Sequence, residues 1–146
     1  MTRLARFGSL VLGALLFGAA AAAPAEARPL RGSGTGQFVS PNDFVNVGEG
    51  TYLGRFYEVG TAEFAATADP TVLSIEGNSV LTGANGDQLY TSFSGEVDLL
   101  TGTVSVTITY VGGSGRLAGA SGTAELSGEL FADGSFHVVV QGTLDF

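Results

Sequence analysis

Tyr110-Val111-Gly112-Gly113-Ser114-Gly115-Arg116-Leu117-Ala118-Gly119-Ala120-Ser121-Gly122 joins two stretches that alternate cleanly between apolar and polar residues. Before it, Val104, Val106, Ile108 and Tyr110 alternate with Thr103, Ser105, Thr107 and Thr109. After it, Ala124, Leu126, Gly128 and Leu130 alternate with Thr123, Glu125, Ser127 and Glu129. A period of two marks a strand with one buried and one solvated face. Between the strands, Gly112, Gly113, Gly115, Gly119 and Gly122 permit backbone angles that side chains resist, and Leu117 is the one large apolar group able to anchor the loop. The unit reads as strand, loop, strand, with Leu117 plugging the end of a barrel.

Working outward, strand pairing follows from keeping the apolar residues on one face. A two-residue Asn85-Gly86 turn would oppose Leu81 to Tyr90 and Thr82 to Leu89, and a sheet with one buried face does not tolerate that split. A three-residue loop, Ala84-Asn85-Gly86 with Gly86 left-handed, opposes Leu81 to Leu89, Gly77 to Phe93 and Leu73 to Val97. The same reasoning at Ala132-Asp133-Gly134 opposes Leu130 to Phe136, Leu126 to Val140 and Ala124 to Gly142, so the two loops should share one conformation. A loop after Asp98 opposes Val97 to Val104 and Phe93 to Ile108, with the Asp98 carboxylate accepting turn amides. Ala68-Asp69-Pro70-Thr71 reads as a tight turn that pairs Ala66 with Leu73, Phe64 with Ile75 and Glu58 with Leu81. Residues 48–56 and 57–67 read as strands. Residues 28–47 read as a lead-in with one strand near 35–40, broken by Ser40-Pro41-Asn42-Asp43.

The inward face then holds Phe64, Leu73, Ile75, Leu81, Leu89, Phe93, Val97, Val104, Val106, Ile108, Tyr110, Leu126, Leu130, Phe136, Val138, Val140 and Leu144. The outward face is mostly Ser, Thr, Glu and Asp. Seven or eight antiparallel strands with one apolar face must stack as two sheets or close on themselves, and closure removes exposed edges. Inward glycines at 77, 95, 128 and 142 let strands bend at barrel corners and leave room beside Phe93. The expected fold is all-β, a single closed antiparallel barrel of about eight strands over 48–146; a two-sheet sandwich is the alternative.

The first residues carry Arg3 and Arg6, then an apolar, alanine-rich run over 10–22, then the small-x-small pattern Ala25-Glu26-Ala27. This is the pattern of a secretory signal peptide, 1–27, cleaved before Arg28. It places the protein in a secreted or periplasmic compartment, with no membrane span after cleavage. The chain has no cysteine, so its stability must come from packing and sheet closure. It also has no lysine, and its net charge of −8 makes nucleic acid and anionic membranes poor partners.

The connector resembles the G-G-(S/T)-G-(R/K)-(F/L)-x-G-A-x-G segment of the allene oxide cyclase and dirigent barrel superfamily, and more closely the bacterial exported proteins that share this calycin-like barrel. Gly50-Thr51-Tyr52-Leu53-Gly54-Arg55-Phe56 is similar to their G-x-(A/G)-T-H-L-G-R-F/Y stretch, with Tyr52 where the histidine usually stands. The resemblance covers roughly 48–146. It implies a barrel that holds a small molecule in its lumen, and in the cyclase and the dirigent proteins a reactive intermediate steered by a few polar pocket residues. It also leaves a homodimer or homotrimer open.

Catalysis in such a barrel needs ionisable groups in the lumen or at its mouth. The register turns only Glu58 and Tyr110 inward, with the hydroxyls of Ser79 and Thr91. Glu58 is the candidate acid or base, but its place near a strand end reads first as a rim carboxylate reaching solvent. His137, the single histidine, sits outward opposite Glu129 and reads as a solvated cross-strand pair, so no metal site is expected, and no cofactor. Gly113-Ser114-Gly115 lacks the strand-to-helix setting of a nucleophile elbow. Arg55 and Arg116 read as donors to loop carbonyls, an anion contact being the alternative.

Three functions remain: binding of a small apolar ligand by Phe64, Phe93, Tyr110, Phe136 and Glu58 in a cavity of a few hundred Å3; a cyclase-like or dirigent-like enzyme, which needs Glu58 or another polar group inside; and a structural or surface-assembly protein with a filled core and an outer apolar patch around Val80 and Val139. The first is preferred, because the inward set is nearly all aliphatic and aromatic. The cleavage pattern predicts that intact-mass measurement on exported protein gives a chain beginning at Arg28; a mass retaining residues 1–27 would refute it.

Overall fold

The computed structural model describes residues 26–146, so residues 1–25 of the expected signal peptide lie outside the described residues. Eight antiparallel strands follow in chain order: β1 (Ala27–Phe38), β2 (Asp43–Gly50), β3 (Gly54–Ala66), β4 (Val72–Gly83), β5 (Gln88–Asp98), β6 (Thr103–Ser114), β7 (Ser121–Leu130) and β8 (Ser135–Asp145). Each pairs with its neighbour in sequence, and β1 also pairs with β8, which closes the barrel. Closure leaves no edge strand to protect. A 3-10 turn at Gly115–Leu117, the one helical element among the described residues, carries Leu117 into the barrel end, where it is 1% exposed.

The turn chemistry set the register as expected. In the loop after β4, Gly83 N–H donates to the Asp87 carbonyl at 2.8 Å and Gly86 N–H to the Gly83 carbonyl at 2.9 Å. In the loop after β7, Phe131 N–H donates to Ser135 at 2.8 Å and Gly134 N–H to Phe131 at 3.0 Å, the same pattern. Gly86 and Gly134 have φ of 90° and 84°, a region that side chains disfavour. Asn85 and Asp133 each accept the backbone amide two residues on, at 3.0 and 2.9 Å. The resulting pairs include Leu81 with Leu89, Gly77 with Phe93, Leu126 with Val140 and Glu58 with Leu81. Asp98 accepts the amide of Leu100 at 2.9 Å in the loop before β6.

The N-terminal third differs from expectation. Residues 28–47 are not a lead-in with one strand; they supply nearly all of β1 and much of β2. The inward positions of β1 are Leu30, Gly32, Gly34, Gly36 and Phe38, and glycines carry no side chain to betray an alternation. Residues 48–56 are not one strand either, because Thr51, Tyr52 and Leu53 form the turn between β2 and β3. Tyr52 adopts φ of 71°, unusual for a side-chain residue, and is held there by tertiary contacts. Its hydroxyl donates to the Pro29 carbonyl at 2.6 Å and its ring packs on Phe146 at 5.0 Å. The outer wall is also less polar than expected: Val47, Tyr57 and Val59 on β2 and β3 are each about half exposed, as is Val139 on β8, whereas Val80 is half-buried.

The inward glycines have a common use. Phe136 lies opposite Gly36, Phe44 opposite Gly60, Phe56 opposite Gly48 and Phe93 opposite Gly77. In each pair a Cβ on the glycine would run into the ring. The rings therefore lie flat across the wall, filling space that eight strands leave just wide enough for side chains.

Leu117 closes one end of this packing together with Leu53 and Leu144, both at most 6% exposed. Leu117→Ala is expected to cost about 2–5 kcal/mol of unfolding free energy, as large-to-small substitutions in a rigid core do. Urea denaturation measures it; a loss below about 1 kcal/mol would show that the connector, not the plug, holds this end.

Candidate functional site

Two ends of the barrel are built differently. At one end Arg116 ties the loops together: its Nε donates to Asp87 Oδ2 at 2.7 Å and its Nη2 to the Tyr52 carbonyl at 3.2 Å. The Arg116 hydrogen bond holds the Asp87 carboxyl below the ordinary carboxylate value. Arg28 stacks over the Phe146 ring at 4.1 Å, beside Tyr52. Tyr52 thus closes this end. Arg116 makes the carbonyl contact expected of it. Arg55 instead faces Glu49 at 3.7 Å, with both side chains largely exposed, an arrangement worth little in water.

At the other end the lining is aromatic. Phe38 packs against Phe44, Phe64 and Phe136 with ring centroids 5.6 to 5.8 Å apart, and Phe44 reaches Phe93 at 6.1 Å. Behind these rings lies a space of about 80 Å3, and toward the sealed end a second of about 60 Å3. Phe64, Phe93 and Phe136 line the first and Tyr110 the second. These volumes fall well short of the few hundred Å3 expected. The reason is that Phe38 and Phe44 also point inward, and that rings laid over glycines use the room those glycines provide.

Between the two spaces a polar row crosses neighbouring strands: Asn46 on β2, Glu58 on β3, Ser79 on β4, Thr91 on β5 and Tyr110 on β6. Asn46 Nδ2 donates to Glu58 Oε1 at 2.8 Å, Ser79 Oγ donates to Glu58 Oε2 at 2.7 Å, and Ser79 and Thr91 share a hydrogen bond of 2.6 Å. Asn46, Ser79, Thr91 and Tyr110 are buried. Glu58 is not the rim carboxylate its strand position suggested. It keeps some accessible surface, but it lines both lumenal spaces, and burial pushes its carboxyl pKa up against the opposing pull of Ser79 and Asn46. Burial, with the Glu58 charge as a smaller cause, also pushes the Tyr110 phenol up, so it stays protonated.

The row can hold a proton and pass its polarity along. With Glu58 ionised, Ser79 donates to it and receives from Thr91. With Glu58 protonated on Oε2, the direction of both hydrogen bonds reverses. The structure therefore brings Glu58, Ser79, Thr91 and Tyr110 together as the register implied, and adds Asn46, which sequence reasoning missed. In Phe44-Val45-Asn46-Val47 apolar residues occupy both faces, so nothing local says which way Asn46 points; pairing β2 to β3 through Asn46 and Glu58 is what decides. His137 stands outward, exposed, opposite Glu129. Among the described residues no group of three or more His, Cys, Asp or Glu side chains is placed to hold a metal ion.

A raised carboxyl pKa has a definite pH signature. Below about pH 4.5 Glu58 is neutral in both folded and unfolded chains; above it the unfolded chain ionises first, so stability is lost as pH rises toward the folded pKa. Glu58→Gln is therefore expected to gain on the wild type with rising pH, by at most about 1.4 kcal/mol per pH unit, while the other acids cancel in the comparison. Urea midpoints of both proteins from pH 4 to 8 measure this; a pH-independent difference would mean Glu58 is solvated. No protein-family model matches the chain, and no curated protein matches it.

Proposed function

We propose that this is an exported barrel of the allene oxide cyclase and dirigent type that binds a small, mainly apolar molecule in its lumen without covalent chemistry. The observation that carries this is the lining of the larger lumenal space, in which phenyl and branched aliphatic groups outnumber the three polar side chains Asn46, Glu58 and Thr91. Apolar contact there supplies about 25 cal/mol per Å2 of ligand surface removed from water, before ordering costs. The resemblance of 110–122 and 50–56 supports the family reading. The space of about 80 Å3 limits the ligand, since a benzene-binding cavity is about 150 Å3. Larger molecules enter only as Phe38, half-buried at the aromatic end, swings aside.

A second reading, an enzyme of the cyclase or dirigent kind, draws on the lumenal position of Glu58 beside Ser79. A carboxyl with a raised pKa in an apolar pocket suits general acid or base work. Loss of turnover of a candidate substrate in Glu58→Gln, with binding retained, would replace the non-catalytic reading.

Native mass spectrometry of protein purified without denaturation is expected to show an apolar adduct. Phe93→Trp, which enlarges a ring lining the 80 Å3 space, should lower affinity by about fivefold or more in a folded protein, overpacking costing about 1–3 kcal/mol. Full occupancy in that variant overturns the proposal. So does a wild type with no adduct whose Leu126 and Val138 methyl resonances stay unmoved in saturating toluene.

A further inference from the structure

Outside the lumen, one buried oxygen among the described residues has no hydrogen-bond partner: Asp145 Oδ1, near the end of β8. Asp145 stands between two strands, opposite Ala27 on β1 and Ser121 on β7. Residues 27–30 have β8 as their only ladder partner, since the rungs between β1 and β2 begin at Gly32. The Ala27–Arg28 bond, where the sequence pattern places cleavage, is thus the first link of the β1–β8 seam. Every charged or titratable group around it is engaged elsewhere or carries the wrong sign. The Arg28 guanidinium lies on the Phe146 ring at 4.1 Å, Arg116 holds Asp87 at 2.7 Å, and the Tyr52 phenol donates to the Pro29 carbonyl at 2.6 Å. Arg31, the next cation along β1, stands opposite Gln141, and Ser121, Gly122 and Thr123 on β7 carry no charge. Glu26, exposed beside Ala27, adds a second negative charge. A half-buried carboxylate without a donor calls for a cation that the uncut chain does not place there.

We propose that Asp145 is the receptor for the α-ammonium group that cleavage before Arg28 creates, so that removing the signal peptide supplies the missing donor and fastens the start of β1 to β8. This rests on the exported reading and on that cleavage position, and is independent of what the lumen binds. Hydrolysis of the Ala27–Arg28 bond consumes a water and leaves a carboxylate on Ala27 and, once protonated, an α-ammonium on Arg28. Ala27 then vacates the rung opposite Asp145 and takes the Glu26 charge with it. Directly opposed residues of an antiparallel pair have Cα atoms about 4.5–5.5 Å apart. The new nitrogen lies two bonds from where the Ala27 Cα stood, a gap that the Asp145 side chain spans. Before cleavage the same nitrogen is an uncharged amide. Afterwards it is a cation held on a strand, without the rotamer freedom that weakens exposed lysine pairs.

Intact mass of the exported protein fixes its first residue, and the Arg28 Hα and Cα resonances followed by NMR from pH 6 to 10 report titration of its α-ammonium. An unpaired α-amino group titrates at about 7.7–8.0. In the wild type the midpoint is expected at least about half a pH unit higher, and in Asp145→Asn back in the ordinary range. A raised folded value means that the pair stabilises the barrel below about pH 8 and fades as pH rises through that value. The urea midpoint of the wild type should therefore exceed that of Asp145→Asn at pH 6, with the difference shrinking toward pH 10, while the neighbouring charges cancel in the comparison. Equal α-ammonium midpoints in the two proteins overturn the proposal, as does a stability difference that persists unchanged to pH 10, the mark of a merely structural role. The wild-type midpoint alone decides if Asp145→Asn does not fold. A first residue other than Arg28 overturns the proposal together with the cleavage expectation, and leaves lumenal binding untouched.

Discussion

The pairing of inward phenyl rings with glycines on the neighbouring strand is the constraint on which this barrel depends. A glycine within a strand costs about 0.5–1 kcal/mol in backbone entropy, whereas burying a phenylalanine returns about 1.5–3 kcal/mol. Each Gly–Phe pair is therefore favourable on balance, but only when the ring lies across the glycine and not beside it. Gly36 with Phe136, Gly60 with Phe44 and Gly77 with Phe93 meet that condition through direct cross-strand register. A slip of one residue would turn every ring to solvent and leave the glycines bare. The same pairs explain why the lumen is small: the room that missing side chains offer is already taken.

The polar row is the counterpart of this packing. Asn46, Glu58, Ser79 and Thr91 stand on four successive strands and satisfy one another through hydrogen bonds of 2.6 to 2.8 Å. An apolar row of equal volume would stabilise the barrel more, because burial disfavours the charged form of Glu58 and leaves Asn46 Oδ1 without a donor. The cost falls in the middle of the lumen. Above it the rings around Phe38 form an aromatic end; below it Leu53, Leu117 and Leu144, tied down by Arg116 and Asp87, form a sealed one. The two ends of the lumen therefore differ, one closed by leucines and loops and the other lined by rings.

Legibility along the chain tracked the presence of alternating side chains. The hairpins after β3, β4, β5 and β7 could be registered, because apolar residues recur on one face and the Ala-Asn-Gly and Ala-Asp-Gly loops admit one loop length, whereas the pairing of β6 with β7 across the glycine-rich connector came only from the structure. The pairs Phe64 with Ile75, Gly77 with Phe93 and Leu130 with Phe136 follow from that alone. Over 28–56 the same method fails. Gly32, Gly34 and Gly36 present no pattern, Val45 and Val47 are apolar on the outer face, and Tyr52 takes a backbone angle that only its contacts with Pro29 and Phe146 sustain.

The amino-acid sequence by itself determined the all-β class, the hairpin loop lengths after β4 and β7, the inward apolar face, and the inward direction of Glu58, Ser79, Thr91 and Tyr110. These are properties of period and turn chemistry, which act between neighbours in the chain. Tertiary structure alone decided that β1 meets β8 and closes the wall, that Asn46 joins Glu58 in the lumen, that Glu58 is enclosed and not at a rim, and how little space the rings leave. Each of these depends on which strand lies beside which across the closure. A glycine-lined strand reveals its neighbours only once their side chains have folded over it.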